Sequence, residues 1–428
     1  MSENGAGAKS SKCDIAQKIK VIQALIVQNP VPLDELRSLA LSSDGGFISN
    51  DLRQVIWPKL LGFNRFELRP PFQNYVARNQ WSDQISRDVA RSLWHYRLPQ
   101  AKKRKRGGRR RLLADMVNAL MAKDSTLHYY QGLHDVFSVF VLVLTEDPDL
   151  CFAVAERVAL FFMGDFTRRS DFSVLIPLLD LLIPLIEAFD ADVGSCLRAC
   201  GLHAYVCLPW VIAWWAHDCH DLAMIARLFD AFLSAPPLFP IYVAAALILE
   251  GKSDLFALES RDFSAVHRFL SRLPSQPDLP VEAILARAHG MLQAFPPAKL
   301  VQSQGSPFLR ELARSREVHG LNFPPPWYQR EALPDWILLE NRRRRDKRVV
   351  RSKHTRERRR QAHLAGVSMP APPAKSPPEG PRAFGDRFWT YVSPSASFAS
   401  TLVACAALVG CMAVILKLSE RKPTGSTS

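Results

Sequence analysis

Two charged residues at helical spacing, Asp88 and Arg91, are the first side chains in this chain whose types could do chemistry. On a helix, residues three positions apart lie close enough to contact each other, and the apolar residues Ile85 and Val89 would form a buried face beside them. A carboxylate in this position can hold a guanidinium in a fixed orientation. The alternative interpretation is an ordinary surface ion pair, which contributes little.

A second candidate segment contains Tyr129, Gln131 and Gly132, between a polar turn and the apolar residues that begin at Leu133. A glutamine amide donates and accepts hydrogen bonds at once, so it can align a water molecule for attack. A glycine lets another backbone approach closely. The alternative interpretation is a turn at the start of a helix that happens to contain a glutamine.

Other chemical patterns are weaker. The cysteines and histidines between residues 196 and 220 could suggest zinc, but their spacing fits no common closed site, and the surrounding apolar residues favour a buried helix. His134 and Asp135 could suggest acid–base chemistry, and we interpret them as ordinary polar residues of a helix N-terminal turn. The sequence has no GxxxxGK[ST] segment, which excludes a P-loop nucleotidase.

The elements that must position these residues are helices, because apolar residues recur at helical spacing through most of the chain. We predict an all-α fold with residues 1–12 disordered, helices over 13–47 and a large helical domain over 48–300. The strongest predicted helices are Leu133–Leu144, Cys151–Met163, Val174–Phe189, Ala204–His217, Leu222–Leu233 and Ile241–Leu249.

The formal net charge of +14 is concentrated in two basic runs, residues 102–111 and 342–360. The rest of the chain is slightly acidic, which is unlike a domain with a nucleic-acid-binding face, so we expect no nucleic acid partner. Solvated loops are the simplest interpretation of both runs. Contact with anionic lipid at a membrane surface is the alternative.

The C-terminal part differs in composition from the helical domain. Residues 301–395 are irregular, basic and Pro-rich, which is typical of a disordered linker. Residues 396–416 contain no charge, and a helix of this length could span the hydrocarbon core of a bilayer. With no N-terminal signal peptide and a short tail at 417–428, this pattern predicts a single-pass tail anchor with the preceding residues in the cytosol. A buried C-terminal helix is the alternative.

The order of several segments resembles the TBC-domain family of Rab GTPase-activating proteins. Ile85, Asp88 and Arg91 match the IxxDxxR motif of the family, and Tyr129, Gln131 and Gly132 match its YxQG motif. Three further segments resemble other family motifs: Arg53–Gly62, Leu208–Trp215 and Arg227–Leu233. Phe229 stands where the family usually has a tryptophan, and the basic run at 102–111 is not a general family feature.

The resemblance implies a multi-helix TBC domain and an activity exerted on another protein, a GTP-bound Rab. Arg91 would be an arginine finger and Gln131 would position the attacking water. Asp88 would orient Arg91, while Tyr129 and Gly132 would shape the segment that presents Gln131. Mg²⁺ and GTP would be bound by the partner, so no cofactor is expected in this chain.

The predicted C-terminal anchor narrows the resemblance to tail-anchored members of the family, which implies a role in traffic from the endoplasmic reticulum to the Golgi, with the anchor in the endoplasmic reticulum membrane. A short, moderately apolar span suits a thin bilayer, although the basic tail would also suit the mitochondrial outer membrane. Two alternative functions remain at this point. One is an inactive Rab-binding scaffold at a membrane, and the other is a tether whose basic runs bind lipid or RNA.

Overall fold

The computed structural model describes residues 4–28, 31–42, 45–63, 69–93, 96, 106–168, 175–276, 278–297 and 299–300. The chain divides into two units, residues 1–340 and 341–428, and every described residue lies in the first. The predicted anchor at 396–416, the tail, the linker at 301–395 and the basic run at 342–360 lie outside the described residues. Residues 102–105 of the other basic run do too.

The described residues form α-helices, as predicted, together with short 3₁₀ turns. The first group of helices comprises α1 (Asn4–Ile26), α2 (Leu33–Ser42), α3 (Asn50–Leu60), α4 (Ser82–Arg91), α5 (Arg106–Lys123), α6 (Leu133–Val143), α7 (Pro148–Phe161) and α8 (Gly164–Thr167). The second group comprises α9 (Leu175–Leu179), α10 (Leu182–Phe189), α11 (Ala191–Ala199), α12 (Leu208–Ile212), α13 (Leu222–Phe232), α14 (Phe239–Glu250), α15 (Lys252–Phe256), α16 (Phe263–Arg272) and α17 (Val281–Ala294).

The first helix begins at Asn4, within the segment that the sequence analysis expected to be disordered. Alanine and lysine are good helix formers, and residues 6–12 contain one glycine among them. The helix that was expected from residue 13 therefore extends backwards by two more turns.

Two long helices predicted from the apolar pattern are broken by proline. Pro184 has no N–H to donate to the carbonyl of residue 180, so the predicted helix Val174–Phe189 divides into α9 and α10. Pro209 has the same effect on Ala204–His217, where a 3₁₀ turn at Ala204–Cys207 precedes α12. The residues after α12 turn sharply, with Trp214 and Trp215 at positive φ. The apolar pattern predicted burial correctly but not continuity.

A buried ion pair joins α3 to α13 at the centre of the core. The guanidinium of Arg53 donates to both carboxylate oxygens of Asp230, with Nη2–Oδ2 at 2.9 Å, and the indole of Trp57 donates to Oδ1 at 2.8 Å. The backbone N–H of Phe47 also donates to Asp230 at 3.0 Å. Because every group is buried, these bonds fix the relative position of the two helices. We call Arg53, Trp57 and Asp230 the core anchor.

Aromatic side chains pack around the core anchor. Phe229 lies at a ring-centroid distance of 6.0 Å from Trp57, 5.4 Å from Phe140 and 5.2 Å from Trp214. The phenylalanine that replaces the usual tryptophan of the family therefore occupies a fully buried position between α3, α6 and the turn after α12. It is a core residue.

The N-terminal helices are part of the same packed body. Arg227 of α13 donates to both carboxylate oxygens of Glu282 on α17 at 2.8 Å, and to the carbonyl of Ala40 on α2 at 3.0 Å. One arginine thus ties α2, α13 and α17 together. Helix α2, which lies within the N-terminal helices predicted over 13–47, is thus bonded directly to the helical domain.

Within the described part of the chain, no single helix is both long and apolar enough to cross a bilayer. One pair, Ala191–Ala199 and Ala204–Ile212, meets the requirement by length and composition only, and it is bent by 107°.

Candidate functional site

The helix that carries Arg91 is fixed at its start and buried along one face. The hydroxyl of Ser82 accepts from the backbone N–H of Asn79 at 2.9 Å and donates to the side chain of Asn118, on α5, at 2.7 Å. Ile85 is completely buried and Val89 is 4% exposed. The predicted supporting residue Ile85 therefore acts as a core residue that seats α4, and α4 ends at Arg91 on the surface.

Asp88 connects Arg91 to Tyr129, which comes from the other predicted motif. The guanidinium Nη2 of Arg91 donates to Asp88 Oδ1 at 2.5 Å, and the hydroxyl of Tyr129 donates to Asp88 Oδ2 at 2.9 Å. The Asp88 side chain is 5% exposed, whereas that of Arg91 is 60% exposed. A buried, fully bonded carboxylate thus holds an arginine whose free end faces solvent. We call Arg91, Asp88 and Tyr129 the finger site.

Tyr129 stays protonated in this arrangement. Burial, and next the neighbouring Asp88 carboxylate, raise the pKa of the Tyr129 hydroxyl well above its usual range. The hydroxyl therefore remains a donor at physiological pH and keeps one Asp88 oxygen occupied. The other oxygen is left to orient the guanidinium of Arg91.

Gln131 and Gly132 form a turn that ends at the first residue of α6. The side chain of Gln131 is exposed, and Gly132 is buried with a φ of 118°. A Cβ on Gly132 would meet its neighbours at 3.6 Å, an ordinary contact, so glycine is required here by backbone conformation and not by lack of space. This turn directs Gln131 outward from a segment that Tyr129 binds to α4.

Residue Tyr130 anchors the same turn from the opposite side. Its hydroxyl donates to the carbonyl of Ile212 at 3.0 Å, and its ring packs at 6.1 Å from Phe166. Tyr129 and Tyr130 therefore point to different neighbours and hold the backbone before Gln131 between them.

The polar residues His134 and Asp135 lie in the first turn of α6, where the sequence analysis placed them, but their side chains are buried. His134 is 5% exposed and Asp135 is 2% exposed. His134 Nδ1 lies 2.9 Å from the Tyr129 hydroxyl, and its Nε2 lies 3.3 Å from Asp135 Oδ1. They form a buried polar layer behind the finger site. Their position at the beginning of an otherwise apolar helix was the available sequence signal.

This layer continues to His217, one of the histidines that the sequence analysis assigned to a buried helix. His217 lies in the turn after α12, where 54% of its side chain is exposed, and its Nδ1 is 3.0 Å from Asp135 Oδ2. The hydrogen bond to Asp135 raises the pKa of His217 to about 9, while burial of the imidazole and the positive charge of Arg91 act in the opposite direction. Burial raises the pKa of the adjacent Asp218 to about 6.

The cysteines and histidines considered for zinc are dispersed. Among the described residues, no group of three or more histidine, cysteine, aspartate or glutamate side chains is arranged to hold a metal ion. Cys151, Cys196, Cys200, Cys207 and Cys219 are free thiols. Burial raises the pKa of the Cys207 thiol well above its usual range, as expected for a core cysteine.

Comparisons with known proteins match the part of the chain that contains these residues. The sequence model of a family described as RabGAP-TBC, Rab-GTPase-TBC domain, matches residues 50–256, which include the core anchor and the finger site. TBC1 domain family member 20 of Bos taurus is 31% identical over 300 residues, covering 69% of this chain and 72% of the relative.

The chain belongs to the Rab-GTPase-TBC domain family. A GTPase-activating protein of Schizosaccharomyces pombe, gyp10, is 27% identical to this TBC protein over 54% of this chain and 61% of the relative. The crystal structure of the Ypt/Rab-GAP domain of Gyp1p matches the fold with a TM-score of 0.54 at 16% identity, over 66% of this chain and 99% of the Gyp1p domain. The predicted all-α TBC fold and the resemblance to the family are confirmed.

The TBC fold brings together the two predicted motifs, but it gives their residues different tasks. Arg91 and Gln131 have exposed side chains, and Asp88, Tyr129 and Gly132 are buried behind them. The further segments that resembled the family, around Arg53 and Asp230, belong to the core anchor and have no exposed functional group.

Proposed function

We propose that this TBC protein accelerates GTP hydrolysis by a Rab GTPase, with Arg91 and Gln131 supplied in trans. One observation carries the proposal: Arg91 is bonded to a buried carboxylate while most of its side chain faces solvent. A structural arginine would be expected to bury its guanidinium. The family membership and the names of the relatives, a GTPase-activating protein and a Ypt/Rab-GAP domain, support a Rab as the partner.

Arg91 would enter the nucleotide site of the GTPase and neutralise negative charge that develops on the transferred phosphoryl group. Such a residue accelerates hydrolysis by about 10³–10⁵. The guanidinium reaches the partner already oriented, because Asp88 accepts one of its N–H groups and Tyr129 holds Asp88. Orientation before binding reduces the entropy that must be lost in the transition state.

Gln131 would align the water that attacks the phosphoryl group. Its amide oxygen can accept a hydrogen bond from the water, and its NH₂ group can donate to a phosphate oxygen or a neighbouring carbonyl. The residues on both sides of it are fixed, Tyr130 by its bond to Ile212 and Gly132 by its left-handed backbone. Mg²⁺ and GTP would belong to the GTPase in this mechanism.

We also propose that residues 396–416 insert as a tail anchor in the endoplasmic reticulum membrane, with the TBC domain in the cytosol, for a role in traffic to the Golgi. The support is the uncharged 21-residue segment and the Pro-rich linker before it. Imaging of the tagged full-length chain beside a chain ending at Val392 tests this. A diffuse full-length protein would contradict the anchor, and a mitochondrial signal would contradict the membrane.

The test of the activity is a single-turnover assay of the full-length chain with a panel of GTP-loaded Rab GTPases. We expect strong stimulation of at least one Rab, and a loss of at least about tenfold for Gln131→Ala. The wild-type chain should also stimulate that Rab when its own catalytic glutamine is replaced. If no Rab is stimulated but one binds, the inactive scaffold is the correct function. If stimulation needs the glutamine of the Rab, Gln131 has no catalytic role.

A further inference from the structure

The backbone immediately after Arg91 leaves the helix through a strained turn. Ser92 ends α4 with an extended backbone, and Leu93 has a φ of 67°, in the left-handed region that a leucine rarely adopts. Leu93 is completely buried and Ser92 is 2% exposed. This turn determines where α4 ends, and thus the position from which Arg91 projects.

One residue from the basic run holds this turn. The Nε and Nη2 atoms of Arg110 both donate to the carbonyl oxygen of Ser92, at 3.0 Å and 2.9 Å. The hydroxyl of Ser92 in turn donates to the carbonyl of Asp88 at 3.1 Å. A direct line of hydrogen bonds therefore runs from Arg110, through the turn, to the backbone of the residue that orients Arg91.

The helix dipole favours a cation at the end of α4 but not at the start of α5. The Ser92 carbonyl lies at the C-terminal end of α4, where the helix dipole attracts a cation. Arg110 lies near the N-terminal end of α5, where the dipole disfavours a cation. The first turn of α5, residues 106–109, also contains two glycines and no acidic residue. This sequence is poor for starting a helix, so the arginines here are better explained by what they contact.

We propose that Arg110 is a positioning residue for the finger, which acts by bonding the carbonyl of Ser92 and fixing the turn that follows Arg91. This rests on the proposed function of Arg91. It assigns to one residue of the basic run at 102–111 a role that differs from lipid or partner binding. Arg110 itself does not touch the GTP in this role.

The proposal is tested by single-turnover kinetics of the full-length chain with the Rab that the wild-type chain stimulates most. Arg110→Ala should lower the rate at saturating chain concentration by about tenfold, because the finger is no longer held in place. The dissociation constant for the same Rab loaded with a non-hydrolysable GTP analogue should stay within about threefold of wild type. Affinity for the Rab bound to GDP and aluminium fluoride should fall with the rate.

Two variants separate positioning from charge. Arg111→Ala removes the same charge from an exposed neighbouring position of α5 and should leave the rate unchanged. Arg110→Lys keeps the charge but loses the paired donors, so its rate should lie between those of wild type and Arg110→Ala. Should Arg110→Ala fail to fold, a reduced saturating rate for Arg110→Lys supports the proposal and a wild-type rate overturns it.

A double substitution identifies the route of the effect. If Arg110 acts through the finger, Arg110→Ala should add no further loss in an Arg91→Ala chain. An additional loss there, weaker binding of the GTP-analogue complex, or an equal effect of Arg111→Ala would each overturn the proposal. An unchanged rate for Arg91→Ala alone would instead contradict the proposed function, so the two failures are distinguishable.

Discussion

The core anchor and the finger site use the same chemistry for different ends. In each, one aspartate accepts from an arginine and from an aromatic side chain: Asp230 from Arg53 and Trp57, and Asp88 from Arg91 and Tyr129. The arginine side chain is 6% exposed in the anchor and 60% exposed in the finger site. Both carboxylates are buried, so the exposure of the arginine distinguishes a pair that holds helices together from one that presents a group to a partner.

The two sites also differ in how many hydrogen bonds the arginine and its aspartate make. Asp230 receives donors from Arg53, Trp57 and the backbone of Phe47, and Arg53 also donates to Asn50. Arg91 is the last residue of α4. Its guanidinium donates to Asp88, and the rest of the group faces solvent. Removing the anchor should therefore affect stability, and removing the finger site should affect activity.

The largest expected effect on stability comes from Asp230→Ala, which leaves the buried charge of Arg53 without its carboxylate partner. We expect the free energy of unfolding to fall by about 3–5 kcal/mol. Urea denaturation followed by circular dichroism measures this, with the exposed Asp254→Ala as control. Below its melting temperature, the variant should keep a saturating rate near that of wild type. A stable variant with a large loss of rate would contradict the proposed distinction between the core anchor and the finger site.

Asp88→Asn should have a smaller effect than Asp230→Ala, and the effect should be on activity. The amide keeps the shape of the carboxylate but loses its charge, so Arg91 is less firmly oriented, and we expect stimulated hydrolysis to fall by about 10- to 100-fold. Single-turnover assays check this. The control is Asp83→Asn, on the same helix, whose pair with Arg78 has both side chains largely exposed. Equal effects of the two substitutions would contradict the role of Asp88.

Tyr129→Phe changes the part of the finger site that is more remote from the GTP than Asp88 and Arg91, so it should have a smaller effect. It removes the hydroxyl that lies between Asp88 and His134 and leaves the ring in place, so we expect a loss of rate of about threefold to tenfold. The unfolding free energy should fall by about 1 kcal/mol. Tyr242→Phe removes another buried hydroxyl, which donates to the carbonyl of Phe295, and should cost stability without affecting the rate. A rate loss in both variants would indicate a general effect of destabilisation.

The smallest effect is a dependence of stability on pH. The pKa of His217 is raised to about 9 by its bond to Asp135, so protonated His217 stabilises the fold fully below its ordinary value of 6.5. That contribution is lost as the pH rises from about 6.5 through 9. Because half of the imidazole is exposed, we expect a decrease below about 1 kcal/mol over this interval. Urea midpoints against pH should show a flatter profile for His217→Gln. An identical profile would contradict the pairing.

The sequence predicted the parts of the site that depend on local spacing. Asp88 and Arg91 are neighbours on one helix, and Gln131 and Gly132 share one turn, so pattern and resemblance were sufficient. The bond between Tyr129 and Asp88 joins residues far apart in the chain, and only the fold reveals it. The burial of His134 and the contact of Arg110 with Ser92 likewise depend on how α5 and α6 pack against α4.

The fold, like the site, was predicted where it depends on local sequence pattern. Apolar spacing identified the helical class, because it reports which faces are buried. It did not identify the breaks before Pro184 and Pro209, where an apolar run continues although the missing N–H ends the helix. Nor did it predict the positive φ of Trp214 and Trp215, which tertiary packing maintains while both side chains are buried.

The most direct test of the account is the saturating single-turnover rate of the Arg91→Ala and Arg91→Lys chains with the Rab that wild type stimulates most. The account predicts a loss of about 10³-fold or more for Arg91→Ala. It predicts no rescue by Arg91→Lys, which lacks the planar fork, and an unchanged melting temperature for both. An Arg91→Ala chain that keeps more than about a tenth of the wild-type rate would contradict the assignment of Arg91 as the finger.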